Sequence, residues 1–209
     1  MARLRITYKK LDPLRFTSVL DAQKLWERVF RRAALPLAYT QGFHPSPKMH
    51  LGAPLPLGFL SNEELMDVWL RQDVSLKDVT RKLALALPPG IEILHLFYLD
   101  QAIPFLQKSI CQSDFLVAPW LKIDPDDLEH SINLFLHRPS FPWKRRNKEF
   151  DIRSQVLALS VRRNKEVPGI FMQLMASESD TGRPDEVMEA LGYDPLDFEY
   201  LRIKLSLIE

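Results

Sequence analysis

GFHPSPKMH, residues 42–50, gathers the groups best suited to chemistry in this chain of 209 residues. The imidazole of His44 is of the kind that suits general acid–base work. Lys48, four residues on, suits the stabilisation of a developing negative charge. Pro45 and Pro47 push His44 and Ser46 toward extended geometry, and Gly42 opens backbone conformations that other residues avoid. So stiff a loop loses little entropy on binding, which suits a recognition lip. Three uses are open: a binding lip formed by Tyr39, Gln41, Gly42, Phe43, His44, Pro45 and Pro47; a catalytic loop; or a turn packed on a sheet, with Phe43 in the core. The lip is favoured, because the segment carries too few acid or base groups for an active site. His44 and His50 converge on a metal only if the backbone turns, and no carboxylate or thiol sits close by in sequence. No metal site and no cofactor is expected.

The cations form a second set of candidates. Residues 1–50 hold ten Lys/Arg against three Asp/Glu, and residues 138–165 hold nine against two. A net charge of only +1 therefore conceals two basic stretches, the footprint expected for a polyanion. Lys24, Arg28 and Arg31 share one side of a helix, with Arg32 beside them, and Glu27 is placed to pair with Arg31. In PSFPWKRRNKEFDIR, the aromatics Phe141, Trp143 and Phe150 alternate with Lys144, Arg145, Arg146, Lys148 and Arg153. Cations hold phosphates and exposed aromatics stack on unpaired bases, so single-stranded nucleic acid fits this composition. A hairpin with its aromatics turned inward, and solvated basic faces, fit it too.

Elements of two kinds must position these groups. RLRITYKK alternates Leu4, Ile6 and Tyr8 with Arg3, Arg5 and Thr7, as a half-buried strand does. Ser18 and Asp21 have capping-box spacing, and a helix follows to about Ala34 with Leu25, Trp26, Val29, Phe30 and Ala33 inward. After the proline-rich segment come a strand at 65–70, a helix opened by Ser75, and an apolar strand, IEILHLFYL. The second half repeats the grammar. FLVAPWLKI is a strand, and a helix capped by Asp124 follows. Then come a basic excursion, two strands turning around Pro168–Gly169, a short helix from Pro184 to Gly192, and a final alternating strand. In that last strand Leu201, Ile203, Leu205 and Leu207 are expected inward, with Arg202, Lys204 and Ser206 outward. If the proline-rich segment supplies a strand, each half reads βαββαβ. The expected fold is α+β, with two tandem ferredoxin-like domains: residues 1–100, a connector at 101–113, and residues 114–209 carrying the basic hairpin as an insertion. The rival is one α+β domain on a continuous sheet.

Other classes drop out on composition. The single cysteine excludes an internal disulfide and suits a reducing compartment. No apolar run approaches the roughly 20 residues that span a bilayer, and MARLRITYKK alternates where a signal peptide has an apolar block. A cytoplasmic protein without a membrane partner is expected. No Walker loop, dinucleotide glycine pattern, G-x-S-x-G or H-E-x-x-H occurs.

The run LRFTSVLDAQKLWERVFRRAALPLAYTQGFHPSPKMHLGAPLPLG resembles the N-terminal signature of the bacterial radical SAM-linked family, as do KRRNKEFDIR and RPDEVMEALG further on. That family shows LRFxSHLD, then RRAGLPxAYSxGFNPHP, then PLPxG. Val19 stands here where the first motif has histidine, and Ser46 where the second does, which weighs against a catalytic loop. The resemblance implies a radical SAM partner enzyme with a cobalamin-binding region. Lacking a cysteine triplet for an iron–sulfur cluster, the chain is not itself expected to be that enzyme. The architecture is also similar to CRISPR repeat-processing RNA endonucleases, without their glycine-rich loop, and fold alone does not fix function. Three functions follow as expectations: an accessory subunit that binds RNA or presents it to the radical SAM enzyme, a metal-independent ribonuclease using His44, and a protein-docking scaffold.

Overall fold

The computed structural model describes residues 1–100, 102–163 and 168–208. Residues 164–167, within the turn expected before Gly169 and including the basic Lys165, lie outside the described residues. The chain is α+β and divides into two compact units, Met1–Ser109 and Ile110–Glu209. Among the described residues no helix is long and apolar enough to cross a membrane.

Unit 1 contains β1 (Ala2–Lys10), α1 (Val19–Arg32), β2 (Met49–Leu51), β3 (Leu60–Leu70), α2 (Leu76–Ala86), β4 (Ile91–Leu99) and the single turn α3 (Leu106–Ser109). Its strands lie in the order β4-β1-β3-β2, every pair antiparallel. The proline-rich segment thus does supply a strand, of three residues. Both long helices begin as their sequences dictate. The Ser18 hydroxyl accepts the Asp21 N–H at 3.2 Å and donates to the Asp21 carboxylate at 2.7 Å. Ser75 and Asp78 repeat the arrangement at 3.1 and 2.7 Å, satisfying donors that a bare helix end leaves unpaired. Leu4 and Ile6 of β1 and Met66 and Val68 of β3 pack with Trp26, Val29 and Phe30 of α1 and Val79 and Leu83 of α2. Trp26 is held between Tyr8, edge-on at 4.9 Å, and Phe30, stacked at 5.4 Å. The second face of β1 departs from expectation: Arg3, Arg5 and Thr7 are buried as well.

Unit 2 contains β5 (Ile110–Pro119), α4 (Pro125–Leu136), β6 (Pro142–Arg145), β7 (Lys148–Asp151), β8 (Val156–Arg162), β9 (Gly169–Met175), α5 (Pro184–Ala190) and β10 (Phe198–Leu207). The strand order is β10-β5-β9-β8, again antiparallel throughout, while β6 and β7 pair separately as a hairpin between α4 and β8. With that hairpin set aside, both units place their strands fourth, first, third, second. Residues 110–113, inside the expected connector, belong to β5. Asp124 accepts the Asp126 N–H at 2.9 Å, Pro125 opens α4, and Leu128, Ile132 and Phe135 are buried as their spacing requires. The last strand differs from its alternation. Its buried set is Phe198, Tyr200, Arg202 and Leu205, because a bulge between Arg202 and Lys204 shifts the register by one. Arg202 is accommodated by the Ser113 hydroxyl at 2.9 Å and the face of Phe115 at 5.4 Å.

Candidate nucleic-acid interface

The proline-rich loop is a finger with a locked base. Ala38 N–H donates to the Trp69 carbonyl at 2.8 Å, Lys48 N–H to Ala38 at 2.8 Å, and Trp69 N–H to Lys48 at 3.0 Å. Above these, Thr40 N–H donates to the Ser46 carbonyl at 2.8 Å and the Ser46 N–H returns to the Thr40 hydroxyl at 3.0 Å. Tyr39 bridges to Pro47, and Pro47 is buried. Gln41 to Pro45 all stand in solvent, with Gly42 at φ +136° making the tip turn. Phe43 is 102% exposed, so it is the outermost point of the finger and no part of the core. His44 stands beside it, exposed. Lys48 lies at the base with its ammonium 4.9 Å from the Trp69 ring centre.

The α1 cations separate into two groups. Lys24, Arg28 and Arg32 line one recess of about 360 Å³, together with Thr17, Asp21, Leu25, Val29 and Pro88. Helical spacing explains this, since positions i, i+4 and i+8 form one ridge. Arg32 gives one N–H to the Ala86 carbonyl at 3.0 Å, at the end of α2, and is otherwise solvated. Among the described residues neither Lys24 nor Arg28 has an ion-pair partner. Arg31 is outside the recess and sits 3.8 Å from Glu27.

The β6–β7 hairpin also sorts its residues. Trp143 faces Phe150 across the two strands, and Phe141 packs against both Trp143 at 6.1 Å and Phe135 of α4 at 5.6 Å. The aromatics are therefore half-buried. Arg145 is bidentate on Glu186, both bonds 2.7 Å, and also donates to the Thr181 carbonyl at 3.0 Å. Arg153 donates to the Leu136 and Val156 carbonyls at 3.4 and 3.1 Å. Lys144, Arg146 and Lys148 are exposed at or near the tip and have no ion-pair partner among the described residues, and Arg146 has φ +56°. Asp151 ties the hairpin base by accepting the Phe141 and Arg153 N–H groups at 2.8 and 2.9 Å. Those backbone donors, Phe141 foremost, hold its carboxyl below the usual carboxylate range.

All these candidates lie within residues 3–184, which a single family profile matches: "Uncharacterized protein conserved in bacteria (DUF2344)". The chain belongs to that family. No curated protein matches it.

Beside the finger's base, this DUF2344 chain holds a buried charge cluster that its sequence did not disclose. Asp67 of β3 is fully buried and accepts from two arginines of β1. Arg5 reaches its two oxygens at 2.7 and 3.0 Å, and Arg3 binds it through Nε at 3.0 Å and through Nη2. Arg3 also donates to the Ile103 and Pro104 carbonyls at 2.7 and 2.8 Å, fastening residues 103–105 to the sheet. Its guanidinium lies between Trp69 and Phe105, 5.3 and 5.4 Å from the ring centres. His50, paired with Asp67 across β2 and β3, stands edge-on to Trp69 at 4.9 Å, and its Nδ1 is buried without a hydrogen-bond partner among the described residues. Burial pushes the His50 pKa below its ordinary value; Asp67 opposes this, while Lys48 and Arg3 add to it. The neutral imidazole is thus favoured here. The only sequence signal for the cluster was Arg3 and Arg5 alternating with apolar residues, which equally describes a wet face.

Proposed function

We propose that the chain is a non-catalytic accessory subunit that binds RNA and presents it to a partner enzyme. The observation that carries this reading is the recess on α1, where Lys24 and Arg28 have no ion-pair partner among the described residues and Arg32 closes the row. Three cations gathered around a single carboxylate, Asp21, leave an excess of positive charge that an anionic ligand offsets. Lys144, Arg146 and Lys148 on the hairpin supply a second set of phosphate contacts. The finger presents Phe43 and His44 on a frame that needs no ordering, which suits stacking against an unpaired base. His44 has no acid or base partner among the described residues, so the finger supports recognition better than cleavage.

The partner in this proposal is a radical SAM enzyme, as the resemblance to the radical SAM-linked family implies. The shared strand order supports reading the two units as tandem ferredoxin-like domains, residues 1–100 and 114–209. A second reading, a docking scaffold for protein, is favoured by the full exposure of Phe43 and by the apolar hollow of about 1060 Å³ between α2 and the edge strand β4.

Crosslinking in cells tests both. RNA bound to the tagged chain is sequenced beside a variant with Lys24, Arg28, Lys144 and Arg146 changed to Ala. One RNA class, enriched on the intact chain and lost from the variant, is expected, with a radical SAM protein in the same fraction. RNA at background level with that protein still co-purifying would leave the scaffold reading in its place.

A further inference from the structure

Resting on the RNA-binding reading, we infer that the α1 recess takes a single strand by its backbone, with Lys24, Arg28 and Arg32 each meeting one of three successive phosphates. Residues four apart on an α-helix rise about 6 Å and return to nearly the same side. That rise is comparable with the through-space separation of neighbouring phosphates along one strand. The row therefore matches a strand running along the helix axis, where a patch of the same charge but irregular spacing would not.

The rest of the lining selects the strand's form. Leu25 and Pro88, both half-buried, form an apolar strip of the floor beside the polar Thr17 and Asp21. A bare phosphate gains nothing from such a floor, whereas the face of a sugar or an unpaired base does. In a duplex the base faces are stacked inward, and the double helix is too wide to enter a recess of about 360 Å³. Asp21 ends the row. Its carboxylate oxygens, one of which accepts the Ser18 hydroxyl at 2.7 Å, offer a phosphate beyond Lys24 acceptors where it needs donors.

Three phosphate contacts on a single strand correspond to a slope of log K on log salt of roughly 2, from about 0.7 per contact. The test measures binding of a labelled 12-nucleotide oligo(U) and of a duplex RNA of equal length, each between 50 and 300 mM salt. The proteins are the full chain, the combined Lys24→Gln, Arg28→Gln, Arg32→Gln variant, single Arg28→Gln, and Lys77→Gln on α2 as a control. The combined variant is expected to lose about 2 from the oligo(U) slope, Arg28→Gln about 0.7, and Lys77→Gln nothing measurable. Single Arg28→Gln keeps the test decisive if the combined variant fails to fold. Oligo(U) binding with an unchanged slope in both variants overturns the inference while leaving RNA binding through the hairpin intact. Equal binding of duplex, with an equal loss in the variants, overturns the single-strand assignment. No binding of either RNA by the full chain overturns the inference together with the reading beneath it.

Discussion

Asp67→Asn is the sharpest perturbation of unit 1. The carboxylate accepts four hydrogen bonds from Arg3 and Arg5, and both guanidiniums are about 95% buried. Asparagine keeps the shape and removes the charge, so two cations remain out of water, Arg3 with two carbonyls and two ring faces and Arg5 without the carboxylate that it binds. Removing one partner of a buried ion pair costs about 3–5 kcal/mol. With a urea dependence of roughly 2 kcal/mol per molar, the unfolding midpoint of unit 1 should fall by about 1.5–2.5 M. Hydrogen exchange of β1 and β3 amides across a urea series reads that unit directly. Replacing all three by apolar residues, Arg3→Met, Arg5→Met and Asp67→Leu, should recover most of the loss, because no charge is then stranded. A midpoint drop below about 0.5 M for Asp67→Asn would refute the buried-charge argument. The substitution has a second readout: it removes the carboxylate that raises the His50 pKa, so the imidazole should titrate at still lower pH in an NMR series.

Other expectations follow from the same geometry. His50 is held below its ordinary pKa when folded, so the unfolded chain binds the extra proton first. Its contribution is complete above about pH 6.5 and is lost as pH falls below that, and His50→Phe should flatten this part of the stability–pH curve. Phe43→Ser should leave the thermal midpoint within about 1–2 °C while weakening whatever the finger binds, since the ring touches solvent alone. Gly90→Ala should destabilise by about 2 kcal/mol in chemical denaturation: the added Cβ would lie 2.8 Å from the Leu14 side chain at a backbone φ of +97°. Ser18→Ala should cost about 1 kcal/mol, read the same way, by leaving the Asp21 N–H uncapped.

What could be read from the sequence was what is locally determined. Ser18, Ser75 and Asp124 announce their helices because a cap and its first turn lie within four residues. Trp26, Val29 and Phe30 repeat at the period of the helix that buries them. The start of β3 was illegible for the opposite reason. LSNEE reads as a loop by composition, yet Ser61 and Glu64 are buried in a strand. Arg3 and Asp67 are 64 residues apart, and Arg145 and Glu186 are 41 apart, so no local pattern shows that these cations are already engaged. The finger was half legible: prolines and glycine signalled its stiffness, while only the fold decides that Phe43 points away from every apolar neighbour. Of the two basic stretches, helical spacing grouped Lys24 with Arg28 but set Arg31 beside them where the recess has Arg32, and composition could not separate the exposed hairpin cations from those held by Glu186 and by backbone carbonyls.

Arg146 sits where glycine would be at ease. At φ +56° an arginine gives up roughly 1 kcal/mol to steric crowding that glycine avoids. Stability and charge at the hairpin tip are therefore set against each other in one residue. A selection for thermal resistance alone would drift toward Arg146→Gly, producing a sturdier chain with a blunted tip. A selection for ligand retention would hold the arginine and accept the looser turn. Running both selections on one library would reveal, from the direction in which this single position moves, whether the tip exists to finish a hairpin or to reach a ligand.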